Sequence, residues 1–172
     1  MQSLPIHAGC CQLIEVQLGR PLMHLACRHH IMELILATAF KSVMAASSGP
    51  DIQLFKRFQE QWSFISKDEI SAFKDPRVDE HKDWKDATIT SMKSSLARKS
   101  IRDEYAELCQ LSLYFLTGEL CAPIRKPGAY HHARWMAKAI YVMKILLFRK
   151  QMKLTQSEET GLHEVSLFII LI

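Results

Sequence analysis

The chain has 172 residues, 48% of them hydrophobic and 23% charged, a globular balance that excludes a wholly disordered protein and suffices for one sizeable core. A net charge of +4 permits contact with nucleic acid but falls short of the strongly basic balance that argues for it alone. Cys10, Cys11, Cys27, Cys109 and Cys121 form an odd set at irregular spacing with no secretory-type leader, so a reducing, intracellular compartment is expected.

Leu13, Ile14 and Leu18, followed by Gly19 as a stop, predict a short helix over 8–18. Pro21 opens the apolar run 22–27, which reads as one short buried strand. Ile31, Leu34, Ile35, Thr38 and Ala39 recur at helical spacing and predict a helix from His30 to about Met44, broken by Ser47, Ser48, Gly49 and Pro50. Pro50 suits the first turn of a further helix, on which Ile52, Phe55, Phe58 and Trp62 make one apolar face. Residues 66–85 are charged and contain Pro76, so a surface connection with short turns is expected, although Ser66 and Glu69 have the spacing of a capping box.

Residues 84–98 and 101–116 read as two helices joined with a kink near Ser100. Gly118 ends the second, which is apolar nearly all round at Leu108, Leu111, Leu113 and Phe115. A loop over 121–128 then leads to a long helix over 129–153 with Trp135, Met136, Ile140, Met143 and Leu147 along one side. Thr155 and Glu158 form a second capping-box pattern. The apolar end over 165–172 is far short of the roughly 20 residues that span a bilayer and reads as a core helix that stops early. The fold class is mainly α, a helical assembly with at most one or two short strands. A lone strand cannot satisfy its own hydrogen bonds and so implies a missing neighbour.

Two groups of residues have chemistry worth weighing. Cys27-x-x-His30 has a spacing at which one metal ion takes both side chains, but a closed zinc site needs two more ligands. His24, His29, Cys10, Cys11, His131 and His132 are the loose candidates. No second paired motif accompanies them, so Cys27 reads as a small buried residue and His30 as bonded to backbone near the helix start, with no metal and no cofactor. Cys27 as a thiolate nucleophile lacks an orienting acid and an oxyanion hole. The second group is Tyr130-His131-His132-Ala133-Arg134-Trp135, where Arg134 suits a phosphate and Trp135 a base. The competing reading, which the stripe through Ile140 and Met143 favours, makes Trp135 core. Arg98-Lys99-x-x-Arg102, Arg125-Lys126 and Arg149-Lys150 with Lys153 are small basic clusters suited to a phosphate backbone. Asp68, Glu69, Asp75, Asp79, Glu80 and Asp83 read as solvated surface.

The run 22–31, with its Cys27-x-x-His30 between strand and helix, resembles the landmark of hAT-like transposases with an RNase H-like core. Ala133-Arg134-Trp135 resembles the Arg-Trp element of that family's helical insertion. The stretches 25–40, 50–62 and 131–148 are similar to transposon-derived proteins. The resemblance implies a remnant of the RNase H-like core over 1–46 and a helical insertion, truncated at its C-terminus, over 47–172. It implies a weak DNA contact through Arg134, Trp135, Arg125 and Lys126, and a nuclear location. The family's carboxylates have no counterpart: residues 1–18 contain no Asp, and the others would lie before Met1 and beyond Ile172. Two-metal chemistry needs carboxylates holding ions roughly 3.5–4 Å apart, so no enzymatic activity is expected. The expected function is that of a transposable-element-derived, catalytically incomplete protein with residual nucleic-acid or protein contact. Self-association is expected through apolar surface at 22–27 and 167–172, without a membrane. The alternative is an intact helical protein–protein interaction module with no mobile-element function.

Overall fold

Apolar residues repeating every three to four positions fold as eight α-helices in the computed structural model, which describes residues 10–23, 27–44, 52–128 and 134–171. They are α1 (Cys10–Leu18), α2 (Arg28–Val43), α3 (Gln53–Gln61), α4 (Pro76–Asp79), α5 (Lys82–Leu96), α6 (Asp103–Thr117), α7 (Arg134–Leu147) and α8 (Gln156–Leu171). Single 3₁₀ turns follow α3 at Trp62–Phe64 and α7 at Arg149–Gln151.

Helix α7 is enclosed from Ala139 to Leu147. Ala139, Val142, Met143, Ile145 and Leu147 are wholly buried, with α2, α6 and α8 packed around them. Helix α5 lies outside, against α6. The predicted apolar face of α3 closes one side through aromatic contacts: Phe55 stacks on Tyr141 at 4.8 Å, and Phe58 meets Trp62 edge-on at 5.5 Å. Such pairs add roughly 0.5–1.5 kcal/mol beyond the area they bury.

The helix ends follow local chemistry. Gly19 and Gly118 stop α1 and α6 with φ of 63° and 76°, the left-handed conformation that a side chain disfavours. The Thr155–Glu158 box forms in full: Thr155 N–H donates to Glu158 Oε2 at 2.8 Å and Glu158 N–H to Thr155 Oγ1 at 3.1 Å. Asp75 caps α4 by accepting from the Arg77 N–H at 2.9 Å, with Pro76 in the first turn.

Several expectations are corrected. The described residues contain no strand. Leu22 and Met23 are irregular, Met23 is 86% exposed, and Cys27 is the exposed residue that starts α2; residues 24–26 lie outside the described residues. The Leu22 N–H, which a sheet partner would have taken, donates instead to Glu15 Oε1 at 2.8 Å. Ser66 and Glu69 start no helix, because Gln151 satisfies this stretch from outside: its side chain donates to the carbonyls of Ser66 and Glu69 and accepts from the Ser66 N–H. Residues 97–102 separate α5 from α6 as a turn rather than a kink. Helix α7 ends at Leu147, short of the predicted 153. The apolar C-terminal end is largely covered: α8 runs through to Leu171 and buries Val165, Leu167 and Ile170, leaving Leu171 exposed.

Candidate functional site

Cys27 and His30, singled out in the sequence as a pair, do not converge. Cys27 sits at the mouth of α2, its carbonyl accepting from the N–H groups of His30 and Ile31. Its thiol faces His29, with Sγ 3.8 Å from Nδ1, while His30 turns to Glu33 at 3.9 Å on the exposed side. The spacing that suggested a shared ligand therefore puts the two side chains in different surroundings. Among the described residues no group of three His, Cys, Asp or Glu side chains is placed to hold a metal ion, and all five cysteines are free thiols. Arg125 is ion-paired with Asp103 at 3.3 Å, and Lys126 is exposed. The side chains of Arg134 and Trp135, together with residues 129–133, lie outside the described residues.

Apolar side chains open to solvent are concentrated instead at the start of the chain. Among the described residues, eight of the eleven exposed large hydrophobics lie between positions 13 and 35. Helix α1 carries Leu13, Ile14, Val16 and Leu18 and buries none of its residues. Helix α2 turns Leu36 and Phe40 to the core and leaves Ile31, Leu34 and Ile35 at 42%, 55% and 41% exposure.

Behind α2 lies a cleft over α6. One part is an apolar slot of about 190 Å³ in which Met32, Leu36, Met92, Leu108 and Ile169 surround Cys109 and Ser112. The other part, between the end of α5 and the start of α6, is a more open hollow of about 390 Å³ and mixed polarity, lined by Ser95, Arg98, Ser100, Ile101, Arg102 and Tyr105, which also reaches Cys109. Burial pushes the Cys109 thiol above its ordinary range, away from the reactive thiolate. The Tyr105 hydroxyl is hydrogen-bonded to His29 Nε2, which ties α2 to α6 at the rim.

Two charged clusters escaped the sequence reading. Lys144, 1% exposed in the middle of α7, pairs with Glu107 and donates to the Arg125 carbonyl at 2.8 Å. Its signal was a single lysine within an otherwise apolar turn, Val142 to Leu147. Asp75, first read as solvated, is buried; it pairs with Arg77 at 2.7 Å and lies 3.6 Å from His163, while Arg77 also reaches Glu164 at 2.9 Å. Both ring nitrogens of His163 face carboxylates, which makes this a brace between the 66–81 connection and α8.

No family model, curated protein or solved structure matches the chain. The resemblance to hAT-like transposases is thereby corrected. It needed Cys27 at the junction of a catalytic-core strand and a helix, whereas the described residues are helical without a strand. Neither an RNase H-like core nor a mobile-element origin has support. Among the described residues no helix is long and apolar enough to cross a membrane.

Proposed function

We propose that this chain is a helical protein–protein interaction module that associates, through α1 and the outward face of α2, with a second copy of itself. The observation that carries the reading is the concentration of open hydrophobic side chains between positions 13 and 35, on helices of a chain whose remaining apolar residues are largely enclosed. A nine-residue helix is marginal in water without a packed face, so α1 gains most from a cover. Identical apolar faces suit a two-fold contact in which each copy covers the other. The reading is of a binding protein and includes no catalytic step.

Sedimentation equilibrium tests it. The native chain is expected to self-associate with concentration, and the variant Val16→Lys, Leu34→Glu, Ile35→Lys to remain monomeric with an unchanged helical spectrum. A native chain that stays monomeric at high concentration overturns the proposal. Titration with a labelled single-stranded oligonucleotide distinguishes the other reading, contact with nucleic acid at Arg125, Lys126, Arg134 and Trp135: binding that weakens with salt and ignores the triple variant would point there.

A further inference from the structure

The slot behind α2 and the hollow beside it meet at Cys109, which lines both. Arg102, Tyr105, Cys109 and Ser112 follow one another at three- and four-residue steps, so they lie along one face of α6. Met92, Ser95 and Arg98 run beside them from α5 into the turn after it, and His29, Met32 and Leu36 keep the same step along α2. Polarity changes along this line. At one end methionine, leucine and isoleucine line an almost wholly apolar slot; at the other, two arginines, two serines and a tyrosine hydroxyl stand with Ile101 in a hollow of mixed polarity.

We infer that this cleft binds a small amphiphilic anion, an acid with a flexible hydrocarbon tail. The tail lies in the methionine-lined slot and the acid group at Arg98 and Arg102. Charge complementarity selects the head: guanidinium groups present forked donors that match a carboxylate or phosphate. Arg102 is 67% exposed on its side chain, and Glu104 engages it through Nε at 3.5 Å. The slot selects the tail, because two methionines adapt to a flexible chain better than branched residues do. Length agrees as well. From Arg102 to Ser112 the face of α6 runs about 15 Å at 1.5 Å per residue, the scale of a medium-chain fatty acid.

Calorimetric titration with decanoate, below the concentration at which it forms micelles, tests the assignment. Decyltrimethylammonium, with the same tail and the opposite charge, is the comparison, and acetate supplies the head alone. A single saturable site for decanoate is expected, with affinity at least about tenfold above either comparison. Arg98→Gln with Arg102→Gln, both on the surface, should weaken decanoate by about tenfold or more. Met32→Trp, or Met92→Trp from the opposite wall, fills the slot and should abolish binding, with circular dichroism confirming the fold. Absence of saturation overturns the inference. So does equal binding of the two head groups, or decanoate binding that both the arginine pair and the slot variants leave untouched.

Discussion

At the residue scale the buried ion pair of Lys144 and Glu107 governs the core. Withdrawing an ammonium from water costs several kcal/mol, and one carboxylate with one carbonyl repays only part of it. Burial accordingly holds Lys144 below its ordinary value of 10.5 despite the pairing. Between the folded and unfolded values the unfolded chain binds more protons, so this residue makes stability rise with pH and levels off above 10.5. Denaturant titrations from neutral to alkaline pH should show the native chain gaining on Lys144→Met. At neutral pH, Glu107→Gln should cost roughly 3–5 kcal/mol by leaving a buried charge unpaired, whereas Lys144→Met with Glu107→Leu should come out near neutral. Equal losses in the single and the double variant would refute this account.

Asp75 runs the other way. The hydrogen bonds from Arg77 outweigh the opposing effect of burial and hold its carboxyl below the usual 3.8. The stabilisation is therefore present above 3.8 and is lost as pH falls through the folded value. Asp75→Asn keeps an oxygen to cap α4 but removes the negative charge that faces Arg77. It should cost roughly 1.5–3 kcal/mol at neutral pH, and the difference from the native chain should shrink in acid below 3.8.

At the element scale, helix ends and glycines decide how closely the segments approach. Thr155→Ala removes one half of the reciprocal cap on α8 and should cost about 1 kcal/mol by denaturant titration. Gly161 answers to a different constraint. A Cβ there would press into the Met44 side chain and stand 3.3 Å from the Val43 carbonyl, where the end of α2 crosses α8. Alanine normally improves a helix by about 1 kcal/mol over glycine; here the gain should be cancelled or reversed, and a rise in melting temperature would show that Met44 yields freely.

What the sequence made legible at this scale was local chemistry. The Thr155–Glu158 box, the stops at Gly19 and Gly118, and the apolar stripe of Phe55, Phe58 and Trp62 all depend on residues within a turn or two. What it hid was settled at a distance. Residues 22–27 have strand-like composition, but Leu22 and Met23 are irregular and Cys27 caps α2, and Ser66–Glu69 is held by Gln151 from far along the chain. The slot behind α2 was illegible for the same reason: its walls come from four helices, and neither Met92 nor Cys109 carries any mark of the other. Cys27 and His30 were conspicuous as a pair, but four residues of spacing say nothing about χ1, and their side chains part.

At the scale of the whole molecule the apolar residues divide into an enclosed set and an open set, and the two should answer differently to the same kind of change. Phe55 and Phe58 have no exposed surface and belong to the cluster formed with α7. Phe55→Ala should remove roughly 3–5 kcal/mol, since the lost transfer energy is joined by that of the cavity left behind. Leu18, more than half exposed on a helix that buries nothing, makes no comparable contribution within one copy. In dilute solution Leu18→Ser should therefore shift stability by no more than about 0.5 kcal/mol. At concentrations where copies associate, the bound partner stabilises the folded form by mass action, so the melting temperature of the native chain should climb with concentration and that of Leu18→Ser should climb less. Melting curves over a hundredfold range of concentration separate the two contributions. A concentration-independent melting temperature for the native chain would mean that the open face covers no second copy.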